Sequence, residues 1–160
     1  MYETIKNVHS ILAYAALGLL LLASLNAFLG LGSKKTFKDK DLRLSLFTLI
    51  ICHIQLLIGL ILYFVSPKLQ AWSEIGMKVM SDDSLRPILV EHPLTNIIAL
   101  ALITIGWSKH KKEESNNGKF KKIVIFYTFG LILILSRSSN HNHVYSKTVK
   151  NIPAKRKSVN

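Results

Sequence analysis

Long apolar runs alternate along this chain with short charged ones. Ile11 to Gly32 holds 22 residues without a formal charge, and Leu44 to Ser66 holds 23. At 1.5 Å per residue the second run makes a helix of roughly 34 Å, enough to cross a hydrocarbon core of about 30 Å. A soluble core helix does not need that length without one Lys, Arg, Asp or Glu. A third run begins near Pro87 or Pro93, both suited to a first helical turn, and ends at Trp107. The fourth, Ile123 to Ser136, has 14 residues. The pattern predicts an all-α transmembrane four-helix bundle with spans at about 9–32, 44–66, 88–107 and 123–136, the fourth helix short or truncated. Tyr2 to Val8 reads as a polar lead. The run behind it is longer than the 7–15 residues or so of a signal-peptide core, so it counts as the first span.

Composition sharpens this picture. The chain has 160 residues, 49% of them hydrophobic, and a net charge of +12. That charge sits in loops and a tail between apolar runs, which argues against a nucleic-acid partner and for membrane topology, with lipid as the surroundings. Ser33 to Arg43 holds four Lys and one Arg, and Ser108 to Lys122 holds six Lys. The connection Lys68 to Arg86 balances three bases with three acids. The excess of bases places loops 33–43 and 108–122 in the cytoplasm and both termini on the opposite side. Residues 1–136 then form the transmembrane domain, and 137–160 a basic, polar tail expected to be disordered. Cys52 is the single cysteine and reads as a packing residue. Tyr2, Trp72 and Trp107 read as interface anchors.

Each of the first three spans carries one histidine. On a helical wheel His9, Ala13, Ala16, Ala23 and Ala27 share a face of the first span, with Asn26 beside its end. Ser45, Thr48, Cys52, Gln55, Gly59 and Tyr63 form a small and polar stripe on the second, and His53 stands about 100° away from it. His92, Thr95, Asn96, Ala99 and Gly106 share a side of the third. Such stripes let helices approach closely; they also leave room for a flat cofactor. By depth His9 and His92 are nearly level at the outer end, whereas His53 lies roughly 20 Å below it. Two imidazoles facing each other suit the axial positions of a b-type haem. Interhelical hydrogen bonding is the alternative, and His53 with His92 is a second ligand pair if the second helix tilts strongly. Glu91 reads as a helix-dipole carboxylate. His110, in a Lys-rich loop, and His141 and His143, in the tail, read as solvated. There is no His-Glu-x-x-His, no Gly-x-Ser-x-Gly and no phosphate-binding glycine loop.

Several segments resemble a known family. His9-Ser10 after Tyr-Glu-Thr-Ile-Lys, the stretch His53 to Pro67, Glu91-His92, Leu102 to Lys109 and Phe126-Tyr127 through Leu135 are similar to small four-helix bacterial inner-membrane proteins labelled cytochrome b-like. The likeness covers about residues 1–135, and the His53 to Pro67 stretch is its most specific part. It implies a haem-bearing electron carrier, with His9, His53 and His92 as the matching positions. Two departures stand out. Pro93 should push His92 out of the α region and make it an N-cap. The family's fourth helix closes on an apolar Pro-Trp-Pro-Phe-like end, whereas this chain turns polar and basic after Ser136, as a shifted reading frame would make it.

Together these readings give a membrane-embedded b-type cytochrome-like electron carrier, with one haem b between the first and third spans. His9 and His92 are its axial ligands, His53 is an alternative ligand or a neighbour of the site, and Gln55 supports the ligands. Electron transfer with a respiratory-chain or other membrane redox partner is expected in preference to catalysis on a substrate of its own. The alternatives are a non-enzymatic structural or assembly subunit without a cofactor, and a small proton-coupled carrier using Glu91, His92 and His53.

Overall fold

The computed structural model describes the backbone of residues 1–150 and the side chains of residues 1–136. The described residues form five α-helices: α1 (Tyr2–Gly32), α2 (Asp39–Val65), α3 (Ala71–Ile75), α4 (His92–Lys111) and α5 (Asn116–Lys150). Three helical stretches, Tyr2–Gly32, Asp39–Val65 and Pro87–Lys111, are long and apolar enough to cross a membrane. Helix α1 packs on α2 and α5, and α4 packs on α5 and α2. Helices α1 and α4 therefore stand diagonally across from each other.

Every long helix runs further than its apolar run. The Tyr2 to Val8 lead is helical because nothing in it breaks a helix. Helix α5 does not stop at Ser136: its backbone continues to Lys150. No Pro or Gly falls between Leu131 and Lys150, so the turn of the sequence from apolar to polar residues does not end the helix. The expectation of a disordered tail over residues 137–160 meets helical backbone as far as Lys150; residues 151–160, and the solvated reading of the His141 and His143 side chains, lie outside the described residues.

The third stretch differs from expectation at Pro93. His92 has φ −62° and ψ −52°, inside the α region and not in an N-cap conformation. Residues Pro87–Glu91 form a wider, π-type turn in which the His92 N–H donates to the Pro87 carbonyl. A proline cannot donate to the carbonyl four residues back and its ring crowds that carbonyl. Widening the preceding turn eases that conflict, so the helical path passes through Pro93 unbroken.

The interior is made of small residues meeting large ones. Ala16, Ala23 and Ala27 of α1 are buried with Leu20, against Phe120, Ile123 and Tyr127 of α5, while Ala99 and Ile103 of α4 are fully buried. The Tyr127 hydroxyl donates to the Ser45 carbonyl of α2 at 2.9 Å, and the Thr48 hydroxyl approaches the Leu19 carbonyl of α1 at 3.2 Å. The outer faces are the reverse. Phe28, Leu29, Phe47, Leu57, Phe64 and Phe129 are each more than half exposed.

The ends are tied by polar contacts. Asp41, 1% exposed, accepts from Lys38 N at 3.0 Å, Asn26 Nδ2 at 2.8 Å and Lys35 Nζ at 2.9 Å, joining α1 to the start of α2. A buried carboxylate needs that many partners to offset its lost hydration. Between α2 and α4 the chain makes short helical turns, and Gly76 supplies the φ of +53° that ends α3. In the same connection the Asp82 carboxylate accepts from the Ser84 hydroxyl at 2.6 Å, from Leu85 N at 2.9 Å and from Ser84 N at 2.8 Å. These bonds stabilise the ionised form and lower its pKa.

A Cβ on Gly106 would overlap the Phe126 Cβ, which cannot move without its backbone, whereas one on Gly18 meets nothing within 4 Å. Gly106→Ala should therefore destabilise the fold by about 1–3 kcal/mol, and Gly18→Ala should be neutral or slightly stabilising. Reversible unfolding in mixed detergent micelles, followed by helical circular dichroism, measures both.

Candidate functional site where three helix ends meet

The polar group richest in chemistry sits where the start of α1, the last turns of α2 and the start of α4 meet. His9 lies in the third turn of α1 and is half-buried. Its place follows from Gly59 on α2: a Cβ there would stand 3.1 Å from His9 Cε1, so the missing side chain admits the imidazole. One turn earlier on the same stripe, Gln55 holds that ring. Its Nε2 donates to the His9 carbonyl at 2.9 Å and lies 3.2 Å from Nδ1 and 3.4 Å from Nε2. Gln55 Oε1 is buried and accepts no hydrogen bond.

His92 approaches from the diagonal helix. The His9 and His92 ring centroids are 6.3 Å apart, with the planes at 76°. Asn96, one turn on, donates from Nδ2 to the His92 carbonyl at 2.8 Å and lies 3.1 Å from its Nε2. Glu91 is tied back to the connection, its Oε1 accepting from Arg86 Nε at 3.0 Å. The π-type turn between them brings residues five apart into register.

His53 stands away from this group. It is exposed on the outer side of α2, and its Nδ1 donates to the Leu49 carbonyl at 2.8 Å within its own helix. His110 reverses the solvated reading: it is 1% exposed, in the last turns of α4. Its Nδ1 donates to the Trp107 carbonyl at 2.6 Å, and its ring lies 4.5 Å from that of Trp107 and 5.7 Å from that of Phe37. Phe37 folds over it from the loop between α1 and α2, which the spacing of lysines around His110 could not reveal.

In the sequence Asn96 and Gly59 are members of helical stripes, and Arg86 is one charge in a mixed connection. Asn96 follows His92 by four residues and so shares its face, a usable signal. Arg86 gave none, because its register with Glu91 depends on the π-type turn.

Among the described residues no three His, Cys, Asp or Glu side chains gather closely enough to bind a metal ion by themselves. A haem iron needs only one or two from the protein, since the porphyrin supplies the others. The 6.3 Å, 76° approach of the two imidazoles is an edge-on ring contact, with the Gln55 and Asn96 amide nitrogens against the ring nitrogens. One observation fits a haem. A ligating histidine wants an acceptor for its second N–H, and Gln55 Oε1 is such an acceptor without a donor.

Comparison with known families, curated proteins and solved structures finds no match.

Replacing Gln55 by Leu removes the group that orients His9. In protein labelled with ¹⁵N-histidine, Gln55→Leu should shift the His9 imidazole resonances and leave those of His53 in place. Unfolding should become easier by about 0.5–1.5 kcal/mol.

Proposed function

We propose that this protein is a membrane-embedded, b-type cytochrome-like electron carrier, with His9 and His92 as the axial ligands of one haem b. The observation that carries this reading is the approach of two imidazoles from diagonal helices to 6.3 Å. When bound, haem supplies one-electron chemistry, its potential set by axial ligands, hydrogen bonding and burial. The chain's own residues hold and shape the site. Gly59 makes room for the His9 ring, Gln55 orients it, and Asn96 must yield His92 Nε2 while keeping its bond to the backbone.

In this reading α1, α2, α4 and α5 form a four-helix bundle in a bacterial inner membrane. The exposed apolar faces support it, including Ile125, Phe129 and Ile132 on α5. Loops 33–43 and 108–122, rich in Lys, lie in the cytoplasm, and the histidine pair lies near the opposite surface, within reach of a respiratory-chain or other membrane redox partner. His53 serves as a packing or contact group on α2.

A structural or assembly subunit without cofactor is the second reading. It is favoured by the amides of Gln55 and Asn96, which already engage both imidazoles, and by the exposure of a polar His53 on an apolar helix face.

Visible spectroscopy of detergent-purified protein, expressed with haem supplementation, separates the two. The haem reading expects Soret, α and β bands on reduction, lost in His9→Ala and in His92→Ala and kept in His53→Ala. A folded, colourless protein that co-purifies with a partner supports the second.

A further inference from the structure

We infer that the Lys-rich end of the molecule carries a binding site for the phosphate group of an anionic phospholipid. A cavity of about 260 Å³ opens there among three separate segments: Lys38 and Asp39 at the start of α2, His110 and Lys111 at the end of α4, and Lys119 in the first turns of α5. Its lining therefore holds three ammonium groups against one carboxylate. Lysines drawn from one loop would mark an ordinary solvated face. Here Lys38, from the loop before α2, lies 73 residues from Lys111 and 81 from Lys119, and the fold brings it to the concavity beside that pair. Like charges brought together cost energy unless an anion or solvent offsets them.

Two features make the concavity a built site. The first is His110, a polar side chain 99% withdrawn from solvent, since it is 1% exposed, that still lines the cavity. Its ring is fixed between Trp107 and Phe37, and Nδ1 donates to the Trp107 carbonyl, so this wall of the concavity is held in place. The second is the order imposed on the lysines. Lys119 Nζ lies 5.9 Å from the centre of the Phe37 ring, and Phe37 N donates to Asn116 Oδ1 at 3.0 Å, which pins the loop to the start of α5. The backbone N–H of Lys38 is taken by Asp41, so the chain there is held in place.

The position selects a lipid as the source of the phosphate. Leu42 lines the same cavity, and Phe47, little more than a turn further along α2, is 57% exposed. A headgroup in the cavity would leave its acyl chains beside this apolar face. Basic pockets between membrane helices recognise anionic headgroups in this way. The inference rests on helices that cross a membrane and is independent of haem.

The test uses full-length protein in a neutral detergent, with thermal unfolding followed in the presence of phosphatidylglycerol, phosphatidylcholine or inorganic phosphate at matched concentrations. Phosphatidylglycerol should raise the midpoint by several degrees and the other two should not. Lys111→Gln with Lys119→Gln should weaken retention of phosphatidylglycerol in native mass spectrometry at least tenfold, whereas Lys40→Gln with Lys112→Gln, outside the cavity lining, should leave it unchanged. If the first pair fails to fold, Lys38→Gln serves in its place with the same expected loss. Equal shifts from phosphatidylcholine, or retention untouched by the cavity variants, would overturn the site. A full shift from inorganic phosphate alone would overturn the lipid assignment.

Discussion

Helices α4 and α5 approach until the bare Cα of Gly106 lies against Phe126, and Gly130 against Ile103. The same close approach recurs on α1, where Gly30 faces the Phe120 ring. In a hydrocarbon surround there is little hydrophobic gain from bringing helices together, so attraction has to come from dispersion between closely fitted surfaces and from hydrogen bonds made across them. Glycine and alanine on one helix against aromatic and branched side chains on the next provide the first. Tyr127 to Ser45 and Thr48 to Leu19 provide the second. The large apolar residues left over point outward, the reverse of a water-soluble core.

Tight packing in the middle places the unusual chemistry at the ends. At one end α1 and α4 each bring an imidazole inward, with an amide from Gln55 or Asn96 against each ring. Here the stripe on α2 changes character, from Ser45 and Thr48 making hydrogen bonds to Gly59 making space. The connection leading into α4 is braced by Arg86 on Glu91 and by the Asp82 turn, so the approach of His92 is held from two sides. At the other end the charges are mostly basic, and Asp41, the one buried carboxylate among the described residues, is engaged by Asn26, Lys35 and Lys38. The two ends thus meet different demands. One gathers two imidazoles beside the unpaired Gln55 Oε1, and the other gathers lysines around a cavity.

Pro93 shows how a local rule yields to its context. A proline behind His92 should have marked the start of a helix and turned His92 outward into an extended conformation. One wide turn over Pro87–Glu91 absorbs the missing donor instead, so His92 keeps helical dihedrals and Asn96 lies one turn beyond it. That turn also sets Arg86 opposite Glu91. A π-type turn is seldom visible in sequence, because it arises from a compromise between backbone hydrogen bonds and packing.

Much of this architecture was legible in the residues themselves. The three helical stretches able to cross a membrane follow from the absence of charge over some twenty positions, which depends only on the cost of moving charge into lipid. The faces of α1, α2 and α4 follow from helical period, and so does the common level of His9 and His92. The extent of α5 past Ser136 was less legible, because the sequence turns polar there although no helix breaker stands to end the helix. What only the tertiary structure decided is which groups meet: Gln55 on His9, Phe37 over His110, and lysines from three segments around one cavity. Periodicity assigns a side chain to a face of its own helix, but contact depends on the rotation and offset of the neighbouring helix, and those are set by packing over the whole assembly.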